Sequence, residues 1–188
     1  HNLGAMTCGV GTLPYNLAFI RDLQPFPVRC TSDVLADSGF RHAFFYGSDA
    51  TFDEMHAFFA RHRYVEQVSQ VELPKDLPKG TWEAVTDMAV FDFAVKRIAD
   101  ELNRTGEPQF AMLMSLSHHS PFTTPQDLPA EVPARVTRAL ANSEHHADAD
   151  DTKRLVAFSY TDAAVERLLA QLDATGLSER SLVVLMAD

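Results

Sequence analysis

Apolar residues follow two different rhythms along this chain. The first is the short, unbroken run: Arg41 to Tyr46 (RHAFFY), Phe110 to Met114 (FAMLM) and Leu182 to Met186 (LVVLM). A run that short, apolar on both faces and bounded by polar residues or glycine, predicts a strand buried inside a sheet. The middle one extends as a strand over 109–116 and is expected at the centre of that sheet. The second rhythm is helical. Ser32 to Ser38 reads as a short helix capped by Ser32 and closed by Gly39. Thr51 and Glu54 fit a capping box for a helix to about His62, with Phe52, Met55, Phe58 and Phe59 along one face. Thr86 or Asp87 caps a helix through Leu102 that turns Val90, Phe91, Phe93, Ala94 and Ile98 inward. A last helix, Thr152 to Ala174, packs through Leu155, Val156, Val165, Leu168, Leu169 and Leu172 and stops at Gly176. Tyr15 to Asp22 is a further helix, broken by Pro25 and Pro27. Residues 123 to 150 read as one long polar connection. Strands alternating with helices at this spacing predict an α/β fold, a mostly parallel sheet flanked by helices.

Composition narrows the picture. At 188 residues and 46% apolar content the chain fits a single domain with a real core. A net charge of −10 argues against nucleic acid, which favours a basic face. No apolar run is long enough to span a bilayer, and no signal peptide is visible. The apolar run ending two residues before Asp188 predicts a domain cut from a longer protein. The two cysteines, Cys8 and Cys30, match no metal knuckle. Outside the cytoplasm they can pair; two free thiols are the other reading.

Candidate chemistry gathers at three places. Thr7, within Gly4-Ala-Met-Thr-Cys-Gly9, is a hydroxyl in a glycine-flanked turn before a helix, where free backbone amides suit a phosphoryl oxygen; locally a plain helix cap explains it as well. His118 and His119 follow a buried strand, at the sheet edge where open α/β folds bind ligands. A neutral imidazole there binds metal and a charged one holds phosphate. Asp188 is an acid at the end of an apolar strand, costly unless paired or bound to a cation. His145 and His146, near Asp148, Asp150 and Asp151, read as a solvated loop rather than a metal cluster.

Three blocks also carry a resemblance. Phe45-Tyr-Gly-Ser48 followed by Thr51-Phe52, then Ser-x-His-x-Pro-Phe at 117–122, then the segment from Tyr160-Thr-Asp162 to Asp188 resemble the extracytoplasmic domain of lipoteichoic acid synthases. They are equally similar to the phosphoglycerol transferases of Gram-negative envelopes, within the sulfatase-like branch of the alkaline phosphatase superfamily. The resemblance covers about residues 4 to 188 and implies a partial sulfatase-like catalytic domain, lacking a first strand and a C-terminal part. It implies Thr7 as nucleophile and metal ligand, and Asp188 as the aspartate of an Asp-His metal pair. His119, with His118 beside it, would contact the substrate phosphate or glycerol. Tyr46 and Ser48 occupy the places of a histidine and an aspartate near the pocket.

The activity implied is transfer of a phosphodiester headgroup from an envelope lipid such as phosphatidylglycerol through a phospho-threonine. The acceptor would be a glycan or glycerol-phosphate chain. The cofactor implied is a divalent metal, Mn2+ first, with Mg2+ or Zn2+ the other candidates. The parent would be a membrane protein with this domain on the periplasmic side. Several family features do not fall within the chain: the acid on a preceding strand and the histidine following Asp188. Asp53 and Met55 replace a tryptophan and an arginine used for the headgroup. The 188-residue piece is accordingly expected to be inactive alone. A sulfatase proper would need Cys or Ser followed by x-Pro-x-Arg, whereas Cys8 precedes Gly-Val-Gly. A phosphoethanolamine transferase and a non-catalytic binding domain of the same fold are the remaining alternatives.

Overall fold

A computed structural model describes residues 3–10, 20–21, 24, 26–143 and 148–186. Its elements in order are α1 (Leu3–Cys8), α2 (Thr31–Asp37), β1 (Arg41–Tyr46), α3 (Met55–Arg61), β2 (Tyr64–Val68), α4 (Asp87–Thr105), β3 (Gln109–Met114), α5 (Glu131–Ala141) and α6 (Ala149–Ala174). The strands form one parallel sheet in the order β2-β1-β3. The β1–β3 register runs without a break from Arg41 opposite Gln109 to Tyr46 opposite Met114.

β1 is apolar on both faces because both faces are covered. Side chains alternate across a strand, so Ala43 and Phe45 point into one apolar cluster and Phe44 and Tyr46 into another. The first cluster contains Val90, Phe91, Ala94 and Val95 of α4 with Tyr160, Ala164 and Leu168 of α6. The second contains Met55, Phe58 and Phe59 of α3, with Cys30 and Leu116. This is the arrangement expected of a parallel sheet with helices on both sides.

Several expectations shift. The strand at 109–116 ends at Met114 and lies at an edge of the sheet, half-buried along its length, while β1 is central. Leu182 to Met186 forms no strand: the run pairs with no strand among the described residues, and its side chains are 40–90% exposed. Apolar content gives a segment strand propensity, but a strand exists only where a neighbour takes up its backbone hydrogen bonds. The capping box at Thr51 does not form. Asp53 and Glu54 sit at positive φ (52° and 55°), the helix starts at Met55, and Phe52 swings out to solvent. Cys30, not Ser32, precedes α2, and Asp33 Oδ2 accepts the Cys30 amide at 2.9 Å. β2 and α5 are additions; α5 lies in the stretch read as a polar connection, although Val132, Val136 and Leu140 recur along it at helical spacing. The expected helix Tyr15–Asp22 falls almost wholly outside the described residues, as do His145 and His146. Asp148 is a plain helix cap, accepting the Asp150 and Asp151 amides at 2.8 Å.

Gly47, directly after β1, is fixed by packing. Its carbonyl accepts the Val85 amide at 2.8 Å. A Cβ there would run into the Val85 carbonyl oxygen and lie 3.2 Å from Val90 Cγ2. Gly47→Ala is therefore expected to cost about 1–3 kcal/mol, read as a lower urea midpoint at unchanged slope.

Candidate active site

The carboxyl ends of β1 and β3 deliver two loops to one edge of the sheet, 47–54 and 115–125. What holds the second loop is a carboxylate the sequence reading treated only as a helix cap. Asp87, the first residue of α4, is buried. Its Oδ1 accepts the Leu116 amide at 2.7 Å and the Ser117 amide at 3.2 Å. Its Oδ2 accepts from Thr161 Oγ1 of α6 at 3.1 Å. In return the Asp87 amide donates to Ser117 Oγ at 3.3 Å. Burial pushes this carboxyl above its usual range, and the two amides with the Thr161 and Ser117 hydroxyls offset part of that push.

A second carboxylate continues the network. Asp127 accepts from Thr86 Oγ1 and from Tyr160 Oη, each at 2.8 Å, while the Met88 amide donates to Tyr160 Oη at 3.3 Å. The Tyr160-Thr161 pair thus ties α6 to the start of α4, and the start of α4 holds the turn that leads into His118.

The two histidines then part. His118 turns back against the Phe158 ring at 5.4 Å, with its Nδ1 buried and without a hydrogen-bond partner among the described residues. His119 faces outward. Its Nδ1 lies 2.8 Å from the Ser120 carbonyl, which can only accept, so the proton is on Nδ1 and Nε2 is left to meet a ligand. Its ring lies 4.4 Å from that of Trp82, which is half exposed at φ 58°. Strained, exposed backbone of this kind concentrates at functional sites. Trp82 is absent from the candidates that the sequence offers; the signal for it is a large aromatic with no periodic partner.

Tyr46 closes β1 and is buried. Burial raises its phenol above the usual value, the Asp87 and Asp49 carboxylates add to this, and a bond to Ser48 offsets part. Tyr46 and Ser48 therefore do come together, and Tyr46 shares an apolar cluster with Leu116 at the root of the histidine loop. Thr7 is in α1 rather than in a turn before a helix. It is buried, and its hydroxyl donates to the Leu3 carbonyl at 2.7 Å, within its own helical turn. The neighbouring Cys8 is joined to Cys30 in a disulfide, and Leu3, Cys8 and Val10 pack on the cluster that holds Tyr46. Asp188 lies outside the described residues.

The divalent cation implied by the resemblance finds no complete set of ligands here. Among the described residues, the groups of three or more His, Cys, Asp or Glu with ligand atoms close enough to share an ion reduce to Cys8, Cys30 and His62. The two sulfurs are bonded to each other, and of the ligands that the resemblance implies the described residues contain Thr7 alone, whose oxygen keeps its lone pairs while the proton goes to Leu3.

A family model described as Sulfatase matches residues 4–188. Three solved structures are similar in fold. The lipoteichoic acid synthase LtaP from Listeria monocytogenes superposes with a TM-score of 0.72 at 16% identity, over 92% of this chain and 39% of that one. A protein in the alkaline phosphatase superfamily from Vibrio parahaemolyticus gives 0.70 at 20% identity, over 92% and 38%. The C-terminal periplasmic domain of EcEptC from Escherichia coli, in complex with Zn, gives 0.53 at 14% identity, over 79% and 40%. The chain thus spans about two fifths of the length of the structures it resembles.

Proposed function

The chain belongs to the sulfatase family across residues 4–188, and from that premise we propose that it is the nucleophile-bearing part of a phosphodiester headgroup transferase. The donor is an envelope lipid such as phosphatidylglycerol, and the acceptor a glycan or glycerol-phosphate chain. The observation that carries this reading is the 115–122 loop, anchored through Asp87 and presenting His119 Nε2 beside Trp82 at the carboxyl edge of the sheet. The likeness to a lipoteichoic acid synthase supports it.

Thr7 Oγ1 attacks the phosphorus, releases its hydrogen bond to Leu3, and forms a phospho-threonine as the bond to the diacylglycerol oxygen breaks. The threonine proton passes through solvent to the departing alkoxide, which leaves as the diacylglycerol hydroxyl. An acceptor hydroxyl then attacks the same phosphorus and regenerates the Thr7 hydroxyl. In its charged form, with Nδ1–H kept on the Ser120 carbonyl, His119 donates from Nε2 to a non-bridging phosphoryl oxygen, while Trp82 forms one wall for the headgroup. The cation expected of the family is Mn2+, Mg2+ or Zn2+; Thr7 and Asp188 would hold it, and it would lower the threonine pKa and neutralise phosphoryl charge.

Sulfate-ester hydrolysis through a modified cysteine is disfavoured, because Cys8 is committed to Cys30. A disulfide suits an oxidising compartment and supports an extracytoplasmic domain. None of the described helices is long and apolar enough to cross a membrane, so attachment to the bilayer is assigned to the parent protein.

The test is headgroup release by the full-length protein from vesicles of phosphatidylglycerol or phosphatidylethanolamine. Diacylglycerol is expected from the first and little from the second. Turnover of phosphatidylethanolamine alone would move the donor to the ethanolamine class, and turnover of sulfate esters alone would remove the transferase reading.

A further inference from the structure

The group formed by Cys8, Cys30 and His62 begins one residue after Thr7, whose Oγ1 lies 3.3 Å from Cys8 Sγ, and none of its three members has a role in the proposed transfer. Their ligand atoms all lie within 4.8 Å of one another. Each comes from a different segment: Cys8 ends α1, Cys30 precedes α2 and His62 follows α3. Cys30 and His62 are 1% and 3% exposed, whereas Cys8 is only half-buried, which leaves a way in from solvent.

His62 is oriented as a metal-ligating histidine would be. Its Nδ1 lies 2.7 Å from Asp33 Oδ2, and the same carboxylate oxygen accepts the Cys30 amide at 2.9 Å. With Nδ1–H given to a carboxylate, Nε2 is the free lone pair, and a carboxylate behind the ring is the usual outer partner of a zinc-bound imidazole. Two sulfurs and one imidazole are a soft set preferred by zinc, with water completing four-coordination.

We infer that the dithiol form of this chain binds a soft divalent cation of the zinc class through Cys8, Cys30 and His62, with Asp33 orienting the imidazole. The disulfide and the bound ion are then alternative ways of fastening the same three segments. A phosphine takes oxygen from water, becomes its oxide and leaves two thiols where the Sγ–Sγ bond was. The ion displaces the two thiol protons to solvent. A two-electron oxidant reforms the disulfide and releases the ion.

The experiment uses the full-length protein, oxidised or reduced with a phosphine under argon, loaded with Zn2+ or Co2+ and desalted. The reduced protein is expected to retain an additional equivalent of zinc over the oxidised protein, and its cobalt form to show thiolate-to-metal absorption in the near ultraviolet. Cys8→Ser is expected to remove both signals, and Asp33→Asn to weaken zinc binding about 10–100-fold. Equal zinc in the oxidised and reduced proteins would overturn the inference, and that comparison needs no variant to fold. Retention of the extra ion by the Cys8→Ser, Cys30→Ser double variant would overturn it as well. Neither readout involves turnover, so the result stands apart from the transferase reading.

Discussion

Thr7→Ala in the full-length protein is expected to lower headgroup transfer by at least about 10⁴-fold, the scale seen when a nucleophile is removed from a covalent mechanism. No phospho-threonine should then be trapped on rapid acid quench with labelled lipid. The fold should tolerate the change. The side chain gives up one hydroxyl bonded to the Leu3 carbonyl in its own turn, a net loss of about 1 kcal/mol, and the Cys8–Cys30 disulfide still fastens α1. Thr7→Ser keeps the oxygen and is expected to keep part of the turnover and the trapped intermediate. Thr7→Val keeps the shape without the oxygen and should behave as alanine does. Unchanged turnover in the alanine variant would remove Thr7 from the chemistry.

How far the sequence led differs from element to element. β1, α4 and α6 were legible because each carries a long or unbroken apolar pattern with a cap or a glycine stop, and the structure places them within a few residues of expectation. β2 was not, because Glu66 and Gln67 in its middle interrupt the apolar run that marks a buried strand. Leu182–Met186 misled in the opposite direction, since composition cannot report whether a neighbour is there to pair with. The site shows the same division. His118 and His119 were found because histidines after an apolar run stand out. Asp87 was passed over because an aspartate at a helix start has an ordinary explanation as a cap; that it faces the Leu116 and Ser117 amides is a tertiary fact with no local signature. The glycines around Thr7 suggest a turn, whereas Leu3 to Cys8 form a helix.

Asp87 carries the second large effect. Asp87→Ala would leave the Leu116 amide, the Ser117 amide and the Thr161 hydroxyl without their acceptor in a buried place. Each such loss costs about 1–3 kcal/mol, so a total of about 3–5 kcal/mol is expected after partial rescue by water. Asp87→Asn keeps one carbonyl oxygen for the two amides, and Thr161 can turn its hydroxyl to accept from the new amide, so a loss nearer 1 kcal/mol is expected. The pH dependence has a definite sign. Burial raises the Asp87 carboxyl above 3.8 in the folded state. An acid with a raised folded pKa contributes its stability below the unfolded pKa, and that contribution disappears as pH rises through the folded value. The penalty of Asp87→Asn relative to wild type should therefore be larger near pH 3 than near pH 7, measured as urea midpoints across that range. The opposite slope would mean that the amides and Thr161 outweigh burial and that the charged form is preferred. Because Trp82 is the chain's single tryptophan and its ring meets His119, its fluorescence reads the same loop directly. In the wild type and in Asp87→Asn the Trp82 emission should be alike. In Asp87→Ala it should shift toward that of a fully solvated indole as the His119 ring moves away, with turnover lost alongside it. An unchanged emission in the alanine variant would show that the loop keeps its place without the carboxylate, and Asp87 would then matter to stability alone.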